Sequence, residues 1–165
     1  ILAYVEKYNR RRAVNYAKRW AYERNPRYYD YSGIGGDCTN FVSQCLYAGS
    51  GVMNYTPTFG WYYINANDKS PSWTGVQYLY DFLVSNTQRG VFGVEIGLED
   101  VSDGDVIQLY GDGRFYHSML VVSRGDKPTA ENTLIATHSF NALNRPLSTY
   151  KFESFRVVRI EGVYI

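Results

Sequence analysis

Apolar residues recur at helical spacing in the first part of the chain. Over 4–24 they fall at Tyr4, Tyr8, Ala13, Tyr16, Ala17 and Trp20. This spacing predicts a long amphipathic helix that ends before Asn25-Pro26. Residues 28–36 are rich in turn formers and predict a loop. A second helix is expected to start at Asp37 or Cys38 and to end at Ala48, before a glycine.

The pattern loses its periodicity over 52–72, which predicts a long loop carrying Trp61, Tyr62 and Tyr63. A third helix is expected to start at Ser72 or Thr74 and to continue to about Val84.

Beyond residue 86 the apolar pattern approaches the period of two that is typical of strands. The β-rich segments are separated by Gly, Asp or Asn turns and cover 91–96, 105–110, 116–123, 134–140 and 155–164. Helices followed by strands predict an α+β fold. The short connections favour antiparallel neighbours, so we expect a meander that curls into a half-barrel.

The bulk composition fits one domain spanning 1–165. Lys and Arg number 17 against 16 Asp and Glu, which argues against nucleic acid as a partner. No apolar stretch approaches 18 residues, so no membrane insertion is expected, and residues 1–5 do not form a signal peptide. We expect a monomer whose targeting segment lies outside this chain.

The chain has two cysteines, and only Cys38 is placed for chemistry. At the first turn of a helix, the partial positive charge of unpaired N–H groups favours a thiolate nucleophile. Asp37 is expected to cap this helix. Cys45 follows two helical turns later, about 10 Å away, which is too far for a disulfide. Its apolar neighbours predict a buried, inert thiol.

A thiol nucleophile needs a base, and the chain has only two histidines, His117 and His138, both in predicted strands. If the strands pair, one imidazole can take the proton from Cys38 while the other orients it. A zinc site formed by Cys38, His117 and His138 is the alternative.

Several motifs together resemble the putative amidase domain family of Gram-positive bacteria. They are Tyr8-Asn9-Arg10, Asn25-Pro26, Asp37-Cys38-Thr39-Asn40-Phe41-Val42-Ser43-Gln44, Ser72-Trp73-Thr74, Gly104-Asp105-Val106-Ile107, His117-Ser118, His138 and Arg145-Pro146-Leu147-Ser148. That family is similar in turn to NlpC-type and CHAP-type cell-wall cysteine peptidases. The resemblance implies a papain-like fold, N-terminal helices packed on an antiparallel sheet, and hydrolysis of peptidoglycan amides at or outside the cell wall. It implies no cofactor.

Carried over by position, the resemblance makes Cys38 the nucleophile and His117 the base. His138 is the nearest match to the third, orienting residue, with Asn141 and Asn144 as alternatives. The backbone N–H of Cys38 is expected to stabilise the oxyanion of the reacting carbonyl.

Seventeen tyrosines suit either a ligand groove or simple core packing. We expect Trp61, Tyr62 and Tyr63 to line a substrate groove, with Tyr31 and Asn40 near the nucleophile. The ligand would be peptidoglycan or its stem peptides. Two other functions remain open: a wall-binding module without activity, and a thiol acyltransferase that passes the acyl group to an amine instead of water.

Overall fold

The computed structural model describes residues 4–165 of the chain. Its α-helices are α1 (Arg10–Trp20), α2 (Cys38–Ser50), α3 (Pro71–Thr74) and α4 (Val76–Ser85). Its strands are β1 (Val5–Glu6), β2 (Tyr63–Asn65), β3 (Asp68–Lys69), β4 (Gly90–Ile96), β5 (Val106–Gly111), β6 (Arg114–Ser123), β7 (Leu134–Thr137), β8 (Ala142–Pro146) and β9 (Ser154–Tyr164). Short 3₁₀ turns cover Leu98–Asp100 and Leu147–Thr149.

The first helix is shorter than the predicted 4–24. The Asn9 side chain caps it by accepting a hydrogen bond from the Arg12 N–H at 3.0 Å. The residues before Asn9 are extended instead of helical, because Val5 and Glu6 pair with Tyr164 and Val163 of β9. Tertiary pairing therefore overrides a helical spacing that continues upstream in the sequence.

The second helix begins at Cys38, as predicted, and extends two residues past Ala48 to Ser50. Gly51 ends it in the left-handed conformation, with φ 74°. The predicted third helix is broken at Gly75 into α3 and α4. The predicted loop 52–72 carries the small antiparallel hairpin of β2 and β3.

All pairings of the main sheet are antiparallel, and β5 to β8 form the predicted meander. The meander is not the whole sheet. Strand β9 pairs with both β4 and β5, so the last strand lies between two earlier ones. Strand β8 was not predicted, and β7 ends at Thr137 instead of extending to residue 140.

The sheet has an apolar core on each face, as alternation along its strands requires. On one face Val106, Leu120 and Val158 pack with residues of the helices. On the other face Ile107, Met119 and Val157 form a second, smaller core. The α+β prediction is confirmed. No helix within 4–165 has both the length and the apolar character needed to span a bilayer.

Candidate active site

Cys38 is the first residue of α2, and a tight backbone turn precedes it. Gly35 and Gly36 have φ 82° and 102°, in the region that favours glycine. A Cβ on Gly36 would lie 3.1 Å from Ser139 Oγ. The Asp37 N–H donates to the same Ser139 Oγ at 2.9 Å. The turn thus holds the start of α2 against the segment that follows β7.

Cys38 and His117 line one cavity of about 420 Å³. Its wall consists of Gly35, Gly36, Cys38, Leu109, Tyr116, His117, Ser139, Phe140, Arg145 and Tyr150. Each of these two side chains is only 8% exposed, so a ligand can reach only a small part of each. The residues that follow them are joined by a hydrogen bond between Thr39 Oγ1 of α2 and Ser118 Oγ of β6 at 2.9 Å. Helix α2 and strand β6 therefore bring Cys38 and His117, 79 positions apart in sequence, to one cavity.

The ring of His117 is held by Thr137, at the end of β7. Thr137 Oγ1 lies 3.2 Å from His117 Nε2, and also 2.8 Å from the His138 carbonyl and 3.0 Å from that of Ser118. A hydroxyl has one proton, and a carbonyl can only accept. Because Thr137 donates to a carbonyl, it accepts from His117 Nε2–H. In neutral His117 this leaves Nδ1 unprotonated and able to take a proton.

His138 does not orient His117, so this prediction is wrong. Its Nδ1 donates to Asp37 Oδ2 at 2.6 Å, and its Nε2 lies 2.8 Å from the Trp20 carbonyl. Both His138 and Asp37 are 1% exposed. The ring also stacks on Phe41, with centroids 4.1 Å apart. His138 thus ties the start of α2 to the end of α1.

The alternatives for the orienting residue also lie elsewhere. Asn141 is exposed, and its side-chain oxygen accepts from Arg24. Asn144 is exposed on β8 with φ 57°. The structure gives neither of them a hydrogen bond to His117.

Asp37 occupies the N-cap position of α2 but makes no side-chain cap, contrary to expectation. Its Oδ1 accepts from the Tyr31 N–H at 2.8 Å and from Asn40 Nδ2 at 2.9 Å, while Oδ2 faces His138. Arg24 Nε lies 3.8 Å from Oδ2. These contacts offset the carboxylate charge beside Cys38 and fix the loop before α2.

Burial opposes the charged forms of both candidate residues. It raises the pKa of the Cys38 thiol above its usual value, and hydrogen bonds from Ser118 and Thr39 offset only part of that effect. Burial, with the nearby Arg145 charge, lowers the pKa of His117 from 6.5 to about 4. In the unliganded site, burial therefore disfavours the expected thiolate at neutral pH. A neutral thiol faces the same cavity as a neutral imidazole.

The residues expected to bind substrate do not line this cavity. Trp61 is fully buried, donates to Ser43 Oγ at 3.1 Å and packs on Trp73, so its predicted groove position is wrong. Asn40 is 1% exposed and accepts from Trp73 Nε1.

The three tyrosines that were expected to bind substrate also lie outside this cavity. Tyr31 is buried, and its hydroxyl donates to the Ala66 carbonyl at 3.0 Å. Tyr62 and Tyr63 are half-buried near the β2–β3 hairpin. The hydrophobic spacing of 52–72 could not reveal that this segment packs inward on α2 and α3.

Other aromatic residues, which the sequence did not single out, form the cavity wall. Tyr116 and Tyr150 lie on it, and Phe140 is 93% exposed at its edge. Ser139 and Phe140 have φ 62° and 66°, which is uncommon for residues with a side chain and costs backbone strain. The Ser-Phe-Asn-Ala sequence after His138 could have indicated this part of the cavity wall, because an exposed aromatic residue in a turn often contacts a ligand.

Within residues 4–165, no cluster of three or more His, Cys, Asp or Glu side chains could hold a metal ion. The zinc arrangement of Cys38, His117 and His138 is not formed, since His138 turns toward Asp37 and Trp20.

The sequence of this chain is similar to those of known proteins. An uncharacterized protein of Bacillus subtilis (strain 168), YhbB, is 38% identical over 122 residues. The match covers 71% of this chain and 38% of the relative, so the chain spans well under half of that protein's length. No solved structure is a significant match. Residues 7–160 match the family described as "Putative amidase domain", a description that indicates an amide hydrolase. The chain therefore belongs to the putative amidase domain family.

Proposed function

We propose that this domain is a cysteine-dependent amide hydrolase that acts on peptidoglycan, with Cys38 as nucleophile and His117 as base. One observation carries the proposal. Cys38 and His117 line the same cavity, and the Thr137 hydroxyl fixes the His117 tautomer whose Nδ1 can accept a proton. Thr137 replaces His138 as the orienting residue in this proposal.

The reaction begins from neutral partners. His117 Nδ1 takes the Cys38 proton as the sulfur attacks the amide carbonyl, and the imidazolium stays hydrogen-bonded to Thr137 through Nε2–H. The N-terminal turn of α2 provides backbone N–H groups near the developing oxyanion, and its dipole favours negative charge there. His117 then protonates the leaving amine. Water attacks the thioester, and its proton passes through His117 as the carboxylic acid is released.

The remaining parts of the proposal come from the motif resemblance. A cysteine on a helix and a histidine on the facing antiparallel sheet are the arrangement expected for a papain-like enzyme, which supports that part of the proposal. The motifs resemble the putative amidase domain family, and the similarity of that family to NlpC-type and CHAP-type wall peptidases supports peptidoglycan as the substrate. With this substrate we propose a monomeric enzyme at or outside the cell wall that needs no cofactor.

Purified peptidoglycan tests this proposal through the release of soluble fragments, which mass spectrometry identifies by the newly formed termini. Cys38→Ala and His117→Gln are each expected to lower the rate at least about a thousandfold. Cys45→Ala is the matched control, because Cys45 is a fully buried core residue outside the cavity.

Three results would contradict the proposal. If Cys38→Ala releases soluble fragments at the unmodified rate, a mechanism with Cys38 as nucleophile is excluded. Wall binding without fragment release by the unmodified chain indicates a binding module. Products that carry an added amine in place of the new carboxylate indicate an acyltransferase.

A further inference from the structure

Arg145 is a cation held in a fixed position on the wall of the Cys38 cavity. It lies on β8, opposite Ile135 of β7. Its Nε donates to Thr149 Oγ1 at 2.7 Å, and its Nη2 donates to the Thr149 carbonyl at 3.0 Å. Its guanidinium carbon lies 3.7 Å from the centre of the Tyr150 ring. The side chain is thus ordered before any ligand arrives.

No carboxylate neutralises Arg145 within residues 4–165. Arg10 and Arg24 do have such partners, Asp105 at 2.7 Å and Asp30 at 3.3 Å. The buried Arg156 also lacks a carboxylate, but it donates to the side-chain oxygens of Gln108 and Gln77. The Thr149 bonds use two of the five N–H donors of the Arg145 guanidinium.

The rest of the cavity wall supplies no charge to balance this cation. Aromatic and apolar side chains make up most of it, and His117 is neutral at pH 7, because its pKa is about 4. An unpaired guanidinium in a partly desolvated cavity favours an anionic ligand, and its planar fork of donors matches a carboxylate. A volume of about 420 Å³ accommodates a short peptide segment.

We propose that Arg145 binds a carboxylate of the substrate, which selects peptide amides that carry a free carboxylate near the bond attacked by Cys38. This inference rests on the proposed function and narrows its substrate class. A peptidoglycan stem peptide offers such groups as the α-carboxyl of D-glutamate and the C-terminal carboxyl, and amidation of a carboxyl removes its charge. The amidation state of the stem peptide then decides whether it is a substrate.

Carboxylate binding would also favour the chemistry at His117. The Arg145 charge is one of the two causes that lower the pKa of His117. A substrate carboxylate paired with Arg145 offsets this charge and raises the pKa of His117 toward its usual value. The imidazole then takes the Cys38 proton more readily. Only a substrate that occupies Arg145 would strengthen the base in this way.

The test uses one muramoyl tetrapeptide in two forms, with its D-glutamyl α-carboxyl and C-terminal carboxyl either free or both amidated. Binding of each form is measured by calorimetry to Cys38→Ala, which cannot turn the peptide over, and hydrolysis of each is measured with the unmodified chain. We expect about tenfold to hundredfold tighter binding of the free form, as for a hydrogen-bonded charged group. Arg145→Gln in the Cys38→Ala background should remove this preference, and Arg145→Lys should retain part of it.

Arg89→Gln is the matched control, since Arg89 is exposed and lies outside the cavity. Equal binding of the two forms by Cys38→Ala overturns the inference without relying on any Arg145 variant. The inference is also overturned if Arg145→Gln in the Cys38→Ala background is folded and still prefers the free form over the amidated form to the same extent.

The two proposals fail in different ways. Hydrolysis of both peptide forms at equal rates supports the hydrolase and overturns the carboxylate site. Tight, Arg145-dependent binding of the free form without hydrolysis supports the carboxylate site and contradicts the enzyme.

Discussion

Thr137 Oγ1 lies 3.2 Å from Nε2 of His117, and the same hydroxyl reaches two backbone carbonyls. This arrangement fixes which ring nitrogen carries the proton. Thr137→Val keeps the size of the side chain but removes the hydroxyl. We expect it to lower kcat about tenfold or more, while Thr137→Ser retains most activity.

Nitrogen NMR of His117 provides a readout that does not depend on turnover. The unmodified chain should show the Nε2–H tautomer, and Thr137→Val should show a mixture of the two. If both variants keep one tautomer and full activity, Thr137 has only a packing role. Urea unfolding of each variant checks that the fold is retained.

Alkylation of Cys38 should depend on pH as for a neutral, buried thiol. Because burial raises the pKa of Cys38, the iodoacetamide rate in the unliganded chain should be low at pH 7 and should still be rising above pH 9. Mass spectrometry of the modified peptide gives the rate, and the fully buried Cys45 should stay unmodified in the native state. A rate that is already on a plateau at pH 6 would instead indicate a preformed thiolate–imidazolium pair.

His117 should make the fold less stable in mild acid. Its pKa is about 4 in the folded chain and 6.5 in the absence of burial. The unfolded chain therefore binds more protons between these values. The contribution of His117 to stability is present above pH 6.5 and is lost as the pH falls toward 4, by up to about 3 kcal/mol.

Urea unfolding of the unmodified chain and His117→Gln at several pH values isolates this effect. The comparison is needed because burial raises the pKa of Asp105, which has the opposite influence on the pH dependence. Parallel stability curves for the two proteins would mean that His117 is not held neutral by the fold.

The Asp37–His138 pair should contribute mainly to stability. Replacing His138 with Ala leaves a carboxylate that is 1% exposed without its 2.6 Å partner. Breaking a buried pair in this way costs about 3 kcal/mol. Urea unfolding measures the loss. His138→Ala combined with Asp37→Asn should recover part of it, because no unpaired charge remains, and an additive result would show that the two residues are not coupled.

Phe140 should affect substrate binding without affecting the fold. Its side chain is 93% exposed at the edge of the Cys38 cavity, so Phe140→Ala should change the free energy of unfolding by less than about 0.5 kcal/mol. We expect KM to rise several-fold with little change in kcat. Phe59→Ala is the matched control, since Phe59 is 85% exposed and lies outside that cavity. An equal effect from both substitutions would show that the Phe140 contact is not specific.

The sequence predicted the parts of the site that depend on local signals. Glycines followed by an apolar helical pattern correctly predicted that α2 begins at Cys38. Alternation of apolar residues correctly placed His117 within a strand. The α+β class followed from the change of period along the chain, which local spacing records directly.

Other features depend on register and on contacts between distant residues, which the sequence pattern does not contain. Successive side chains of an extended segment point in opposite directions, so Thr137 and His138 cannot both face His117. The pairing of Leu120 with Ala136 decides which one does. Likewise, nothing in the spacing of 52–72 shows that Trp61 is covered by Trp73 and Phe82.

The position of β9 between β4 and β5 has a consequence for biosynthesis. A nascent chain that emerges from the ribosome can form α2, with Cys38, more than a hundred residues before β9 is made. Until then the strands that neighbour it have unpaired edges, and the sheet that carries His117 is incomplete. The sheet that positions the proposed nucleophile and base is therefore complete only once β9 has been translated.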